Sequence, residues 1–385
     1  MTTDNDHGDI STRAALRRSA FERAGHSGAM EGLPPDPAHA DLRAARIEER
    51  LTAAEYADAV LARVAGPGSR DRGIEGALPD PEDGYVVPGL PETVLWNQPG
   101  LTDPGALAAF EAEVTLDGAA SLATDPLPRT WDRAHLAGLH GRIFGGVYPW
   151  AGRMRDEAFV LTAEAVGGVA PSDSVVRIGP KATLGKGGSG FAHAGEIEGR
   201  LAAAAERVAS ADAGRGTSPD AFADLAAEVL AEVNAVHPFR EGNGRAQRAY
   251  LDDLALAAGH LLDWTVIDGP RNVAASIAAG GGDLAPMRAM LADAVVPERR
   301  ALLLAARAAL AGPEHAWLRA AGTTMRTLAA AGGVRGTVLA LTDAMAVIAD
   351  AENALVAAPR GALPAELSTW DSAEIEGGSN EPQSV

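Results

Sequence analysis

The feature that most constrains the fold is a loop rich in Pro and Gly between two amphipathic helices. Residues 219–236 place apolar side chains at helical spacing, at Phe222, Leu225, Val229, Val233 and Val236. Pro238 must end this helix, because proline lacks the N–H donor and clashes with the preceding turn. Gly242 and Gly244 accept unusual backbone angles. A second helix then follows, with Leu251, Leu254, Ala255 and Ala258 on its buried side. The order is therefore helix, tight loop, helix N-terminus.

Composition favours a mainly α protein. Apolar residues make up 46% of the 385, but aromatic residues only 4%, which suits helices that pack through small side chains. The net charge of −19 disfavours a nucleic-acid or membrane-surface protein, since both need clustered Lys and Arg. Cysteine is absent, which excludes disulfides and thiolate chemistry. With a polar N-terminus and no long apolar stretch, we expect a cytoplasmic protein, with delivery to another cell left open.

The chain divides into five predicted parts. A small helical domain over 1–66 contains helices at Arg13–Gly25, Asp36–Arg50 and Thr52–Val64, the last two opened by N-cap residues Asp36 and Thr52. A Pro- and Gly-rich linker and leading loop covers 67–104. The part that carries the chemistry is 105–295, and within it Arg155–Phe191 reads as a hairpin or flap. Alanine and leucine over 298–358 predict a C-terminal helical region at 296–361, and the polar tail 362–385 reads as disordered.

The loop at residues 237–248, His-Pro-Phe-Arg-Glu-Gly-Asn-Gly-Arg-Ala-Gln-Arg, concentrates the groups that phosphoryl chemistry needs. A helix N-terminus after a Gly-rich turn is an anion site. Arg245 and Arg248 lie three apart on the first turn of that helix and can both clamp phosphate oxygens. Glu241 is a hard oxygen ligand suited to Mg²⁺, and His237 can accept a proton near neutral pH. The set indicates nucleotidyl or phosphoryl transfer.

This string resembles the Fic family signature HxFx[D/E]GNGRxxR at every fixed position. The resemblance extends over roughly residues 84–295 and includes Tyr148–Gly152 ahead of the flap. Gly185–Phe191 resembles the family's flap, and the resemblance implies that Lys186, Gly187 and Gly188 dock the target protein. The stretch Glu157–Thr183 looks like an insertion relative to the family. The resemblance implies a Fic helical bundle with a small β-hairpin flap.

What the family implies for chemistry is AMP transfer from ATP to a Ser, Thr or Tyr hydroxyl of a target protein, with release of pyrophosphate. His237 would be the base and Glu241 would hold Mg²⁺. ATP would be bound by Gly242, Asn243, Gly244, Arg245 and Arg248. Glycine at both 242 and 244 favours AMP transfer over the phosphate transfer of a kinase-like branch. The partners expected are ATP and a protein with an exposed hydroxyl, without nucleic acid or membrane; a homo-oligomer is left open.

A second resemblance concerns Ser27-Gly28-Ala29-Met30-Glu31-Gly32, which is similar to the inhibitory-helix motif [S/T]xxxE[G/N] that accompanies Fic proteins. The segment Leu33–Gly66 looks like the rest of a small antitoxin, here fused in one chain. Ser27 and Glu31 are four apart and would share a helical face. The hypothesis is that Glu31 pairs with Arg248 at the γ-phosphate position and inhibits the enzyme.

Three alternatives are open at this point. The loop could be an ordinary helix-turn-helix corner, although that does not explain the convergence of His, Glu and two Arg. The domain could be a non-catalytic nucleotide-binding toxin–antitoxin module. It could also be a Fic enzyme that uses another nucleotide or removes AMP. A zinc site is disfavoured, because Pro238 keeps His237 and Glu241 from sharing a helical turn.

Overall fold

The computed structural model describes residues 4–66, 84–170, 174–186, 189–312, 315, 323–328, 336–350 and 354–363. The protein is mainly α, as predicted. The chain forms two compact units, one made of Met1–Ala213 with Glu232–Leu254 and the other of Gly214–Ala231 with Ala255–Val385. In the described part of the chain, no helix combines the length and apolar character that crossing a bilayer demands.

The N-terminal helices lie at the predicted positions, with two differences in length. Helix α1 covers Asp4–Ala29, well beyond the predicted Arg13–Gly25. Asp36 caps a short 3-10 turn, accepting from Ala38 N at 2.9 Å. Helix α2 follows at Ala40–Ile47 and is shorter than the predicted Asp36–Arg50. Helix α3, Ala53–Val64, begins with a reciprocal capping box between Thr52 and Glu55.

Helix α4, Pro104–Ser121, is the helix against which α1, α3 and α5 pack. It is buried around most of its circumference. Helix α5, Arg133–Phe144, is capped by Asp132. Between them and the leading loop lies an aromatic cluster in which Tyr85 and Trp150 meet edge to face at 5.3 Å. This core includes residues of the leading loop, among them Tyr85.

Two hairpins occupy the region predicted as a hairpin or flap. Strands β1, Phe159–Thr162, and β2, Val175–Ile178, pair antiparallel inside the stretch expected to be an insertion. Strands β3, Gly185–Lys186, and β4, Ser189–Gly190, form the second hairpin at the predicted flap. Gly187 and Gly188 lie outside the described residues. Helix α6, Ile197–Ser210, follows.

The helix–loop–helix predicted from the sequence is present. Helix α7 covers Pro219–Val236 and α8 covers Asn243–Ala258. Six residues, 237–242, connect them. They include the half-buried His237 and the fully buried Phe239. The loop is therefore packed against the interior rather than projecting into solvent.

The prediction of a helical region at 296–361 is wrong beyond its first helix. Helices α9, Gly269–Gly280, α10, Ala285–Val295, and α11, Pro297–Ala309, are followed by a sheet of order β5-β8-β7-β6. Its strands are Met325–Thr327, Gly336–Leu341, Met345–Asp350 and Leu355–Pro359. Alanine suggested helix, but the strands combine alanine with Val, Ile and Leu, and β7 and β8 are buried nearly throughout, where packing overrides propensity. The predicted tail lies outside the described residues from position 364 onward.

Candidate active site

The loop at residues 237–248 begins with an unusual backbone conformation. His237 follows the last residue of α7 with φ +48°, and its N–H donates to Val233 O at 3.0 Å. This is the left-handed helix C-cap, a position that glycine usually fills. A non-glycine residue there is strained, and such strain persists only where surrounding contacts enforce it. This conformation ends α7 at the start of the loop.

The imidazole of His237 has a defined orientation. Its ring stacks on Phe191, just after β4, with centroids 3.7 Å apart and planes 11° from parallel. Its Nδ1 lies 3.3 Å from the carbonyl oxygen of Asn234. A carbonyl only accepts, so this contact favours the neutral tautomer with its proton on Nδ1 and its lone pair on Nε2. That is the tautomer a general base at Nε2 requires.

The side chain of Asn243 holds the loop closed. Its Oδ1 accepts from Phe239 N at 2.9 Å, and its Nδ2 donates to Phe239 O at 2.8 Å. Asn243 therefore folds the loop in this conformation, which differs from the expectation that its side chain binds phosphate oxygens. As in any α-helix, the backbone N–H groups of the first turn of α8 have no acceptor within the helix. They can therefore donate to a bound anion. The assignment of Asn243 to ATP stays a prediction.

Gly242 and Glu241 form the tightest part of the loop. Gly242 has φ +82°, and a Cβ at this position would overlap the ring of Phe144. Only glycine meets both conditions. The Gly242 N–H donates to Glu241 Oε1 at 3.0 Å. The half-buried Glu241 carboxylate is thus held beside the N-terminus of α8, where a metal ligand was predicted.

Arg245 lies at the contact between α8 and α4. It is buried, donates to Thr115 Oγ1 at 3.0 Å, forms a short ion pair with Glu111, and lies over the ring of Phe144 at 4.5 Å. Tyr148 also donates to Glu111, at 2.5 Å. These contacts attach α8 to α4. The predicted role of Arg245 in binding ATP stays a prediction.

Arg248 meets the N-terminal segment as the motif predicts. Its guanidinium, 4% exposed, donates to Ser27 Oγ at 2.7 Å, to Ser27 O at 2.9 Å and to Glu31 Oε1 at 2.9 Å. A Cβ built on Gly244 would overlap Glu31 Oε1. The Glu31 carboxylate therefore lies at the N-terminus of α8, in the place where that helix attracts an anion.

The backbone at the end of α1 accounts for the residue types of the Ser27–Gly32 motif. Glu31 comes two residues after the helix, rather than on its face as expected. Leu33 N donates to Gly28 O and Gly32 N to Ala29 O, both at 3.0 Å, and Gly32 has φ +82°. These bonds form a Schellman C-cap with Glu31 as the cap residue. The last motif position is restricted to Gly or Asn because it must adopt the left-handed conformation.

Buried charges fasten the N-terminal helices to α4. Glu113 is fully buried and accepts from Tyr56 OH at 2.7 Å, from Arg43 at 2.6 Å and from Asp36 N at 3.0 Å. Arg46 pairs with Asp117 at 2.8 Å. Burial, together with Glu113, raises the pKa of Tyr56 above its ordinary value, so its hydroxyl remains a donor. The segment that carries Glu31 is therefore docked by several independent polar contacts.

Sequence reasoning missed three residues that hold the loop: Glu111, His140 and Arg155. His140 is fully buried, stacked on Phe239 at 3.9 Å, accepts from Gly152 N at 2.9 Å and contacts Glu241 O at 3.0 Å. Burial lowers its pKa to about 3, so it is neutral with its proton on Nε2. A signal existed: His140 is a polar residue on the apolar face of α5. The residues around Arg155 gave no such signal in the sequence.

Comparison with known proteins accords with this geometry. The Fic/DOC family model matches residues 130–255. A probable protein adenylyltransferase of Sinorhizobium fredii is 35% identical over 210 residues, which cover 54% of this chain and 93% of that relative. The chain belongs to the Fic/DOC family. A protein adenylyltransferase of Bartonella henselae is 33% identical over 220 residues. That match spans 57% of this Fic chain but only 38% of the relative's length.

Solved structures show the same Fic fold. The type IV secretion system effector protein BepA matches with a TM-score of 0.64 and 24% identity, over 78% of this chain and 95% of that one. The Fic domain of a Bartonella quintana effector with bound ADP matches with a TM-score of 0.51 and 28% identity, over 56% of this chain and 96% of that one. BepC of Bartonella tribocorum, with bound AMPPNP, has a TM-score of 0.50 and 28% identity, over 56% and 98%.

Proposed function

We propose that this Fic protein is an adenylyltransferase that moves AMP from ATP to a hydroxyl group of another protein, and that Glu31 keeps it inhibited at rest. The observation that carries the proposal is the loop His237–Arg248, which presents an Nε2 lone pair, a carboxylate and a helix N-terminus together. The names of the relatives as protein adenylyltransferases support the reaction class. Relatives solved with ADP and AMPPNP support nucleotide binding.

The chemistry follows from the positions of these groups. Nε2 of His237 takes the proton from a Ser, Thr or Tyr hydroxyl as its oxygen attacks the α-phosphorus of ATP. The bond between the α-phosphorus and the oxygen that bridges to the β-phosphate breaks, and pyrophosphate leaves. The turn at Gly242–Gly244 and the N-terminus of α8 stabilise the phosphate oxygens. Arg248 contacts the γ-phosphate once Glu31 has moved away.

A magnesium ion fits this site on the chemistry of its donors. Glu241 offers a carboxylate, which is a hard oxygen ligand, and no group of three or more potential metal-ligating side chains occurs among the described residues. The ion would therefore share Glu241 with water and the phosphates of ATP. When bound, Mg²⁺ would offset negative charge on those phosphates.

Inhibition follows from the same geometry. The Glu31 carboxylate bonds to Arg248 and lies against Gly244, so it takes up the two features that would attract a terminal phosphate. Fusion in one chain gives the inhibitory segment a high effective concentration at the site. The β3–β4 hairpin, with Lys186 and with Gly187 and Gly188 beyond the described residues, would dock the target by strand pairing.

The experiment compares the unmodified chain with Glu31→Gly and with the double variant Glu31→Gly/His237→Ala. Each is incubated with a bacterial lysate and ATP labelled either at the α- or at the γ-phosphorus. We expect α-label to enter protein with Glu31→Gly, no γ-label, and no label in the double variant. Transfer of γ-label, transfer only from another nucleotide, or label that persists without His237 would each contradict the proposal.

A further inference from the structure

Arg155 is a buried arginine without a carboxylate partner among the hydrogen bonds that the structure describes for it. Its side chain is among the largest fully buried ones, with 0% exposure. The guanidinium bonds instead to main-chain carbonyl oxygens, of Lys181, Ala182, Ala192, Val236 and His237. An arginine has five N–H donors, so these five acceptors use its full capacity.

Those five carbonyls come from three separate segments. Nη1 donates to Lys181 O at 3.1 Å and to Ala182 O at 3.4 Å, on the chain that leads into β3. Nη2 makes a short bond to Ala192 O, on the chain that leaves β4. Both ends of the β3–β4 hairpin are therefore attached to the same planar group.

The third segment is the catalytic loop. Nη2 donates to Val236 O at 3.0 Å, and Nε donates to His237 O at 2.9 Å. The Arg155 backbone N–H donates to Pro238 O at 2.8 Å. The positive group thus lies at the C-terminus of α7, where the helix dipole favours a cation. It binds the carbonyl of His237, a non-glycine residue whose backbone is in the left-handed conformation.

Direct contacts complete the link between hairpin and loop. Ala192 N donates to Ala235 O at 2.9 Å, and Phe191 stacks on the His237 ring. Lys181 N donates to Arg155 O at 2.7 Å. Because of these contacts, a shift of the β3–β4 hairpin would also move the His237 imidazole. A rigid group that binds both the hairpin and the loop would prevent such a shift. No contact described for the Arg155 side chain reaches Arg248 or the N-terminus of α8.

We infer that Arg155 is a positioning residue, which holds His237 and the base of the target-docking hairpin in one fixed arrangement, so that a docked hydroxyl meets Nε2. This inference rests on the proposed AMP transfer. Lysine cannot replace the arginine, because an ammonium group has three donors at a single point and five carbonyls surround the fork. A displacement of about 1 Å at a catalytic group can lower a rate about 100-fold.

The test uses Arg155→Lys in the Glu31→Gly background. We expect AMP incorporation from α-labelled ATP into lysate proteins to fall about 100-fold, while the Kd for Mg-AMPPNP, measured by calorimetry, stays within about twofold, since the nucleotide groups are untouched. The matched control is Arg153→Met, two residues earlier and 59% exposed, paired with Glu157 at 3.2 Å. It should change neither quantity. A rate for Arg155→Lys within about threefold of its parent, or equal losses in rate and nucleotide affinity, would overturn the inference.

Two NMR measurements separate this inference from the proposed function. The His237 ring signals, assigned with His237→Ala, should shift in Arg155→Lys and not in Arg153→Met. In the unmodified chain, the Arg155 Nε–H should be protected from exchange with water, which tests the contact even if the lysine variant fails to fold. An unshifted His237 signal or rapid Nε–H exchange refutes the role of Arg155. If the Glu31→Gly parent incorporates no label, the proposed function fails, and these spectra still decide about Arg155.

Discussion

The contact between Glu31 and Arg248 allows a quantitative prediction. The Arg248 side chain is 4% exposed and that of Glu31 is 25% exposed. Loss of one partner of a buried ion pair costs about 3–5 kcal/mol, and an exposed pair contributes about 0–1 kcal/mol. The partly exposed Glu31 lies between these limits, so we assign about 2 kcal/mol to the inhibited arrangement. Each 1.36 kcal/mol is a factor of ten, hence release should raise the population of ATP-competent sites about 30-fold.

The assay is the initial rate of α-label incorporation at ATP concentrations far below saturation. Glu31→Gly should raise this rate about 30-fold. Glu31→Gln keeps a hydrogen-bonding oxygen but loses the charge, so it should give a smaller increase. The matched control is Glu22→Gln, because Glu22 is exposed on the same helix. If Glu31→Gly gains less than about twofold while remaining active, the argument that Glu31 occupies the anion position is refuted.

Three further predictions concern the packing of the site. Gly242→Ala should destabilise the protein by about 2 kcal/mol or more, because φ is +82° and the new Cβ would overlap Phe144. Urea denaturation measures the free energy of unfolding, and an unchanged midpoint would contradict the prediction. Glu113→Gln removes the charge that Arg43 and Tyr56 contact. It should therefore weaken the docking of the N-terminal helices, lower the free energy of unfolding by about 2–4 kcal/mol, and raise AMP transfer as Glu31→Gly does. Unchanged AMP transfer together with lower stability would show that docking and inhibition are separate. The pKa of His140 is lowered from 6.5 to about 3 in the folded state, so its contribution to stability is complete above pH 6.5 and decreases as pH falls, by about 2 kcal/mol at pH 5. His140→Gln should flatten that part of the pH–stability curve, and a curve of unchanged slope would disprove the assignment.

The helices around the loop could be predicted because their signals are local. Apolar spacing over 219–236 and the proline at 238 placed α7 at its observed bounds. Thr52 and Glu55 placed the start of α3, because a capping box forms between residues only three positions apart. The C-terminal sheet was not predictable in this way. Its alanine-rich strands gain their stability from neighbours in the sheet, and β5 pairs in parallel with the distant β8.

Tertiary structure also gives two motif residues contacts that the sequence did not predict. From the sequence, Asn243 and Arg245 are expected to bind ATP. In the folded chain, the amide of Asn243 closes its own loop on Phe239, and Arg245 forms an ion pair with Glu111, which lies 134 residues earlier. A motif specifies residue types and spacing, but the acceptor that a long side chain meets depends on which helix packs against it.

By itself, the sequence determined the helix–loop–helix, the identity of its titratable groups, and the inhibitory motif, because each depends on residues within a few positions of one another. Only the tertiary structure decided that Glu113 receives the N-terminal helices and that Arg155 joins the hairpin to His237. Those contacts join residues 26 to 82 positions apart. They form only when folding brings distant main-chain and side-chain groups within hydrogen-bonding distance, and no local pattern records them.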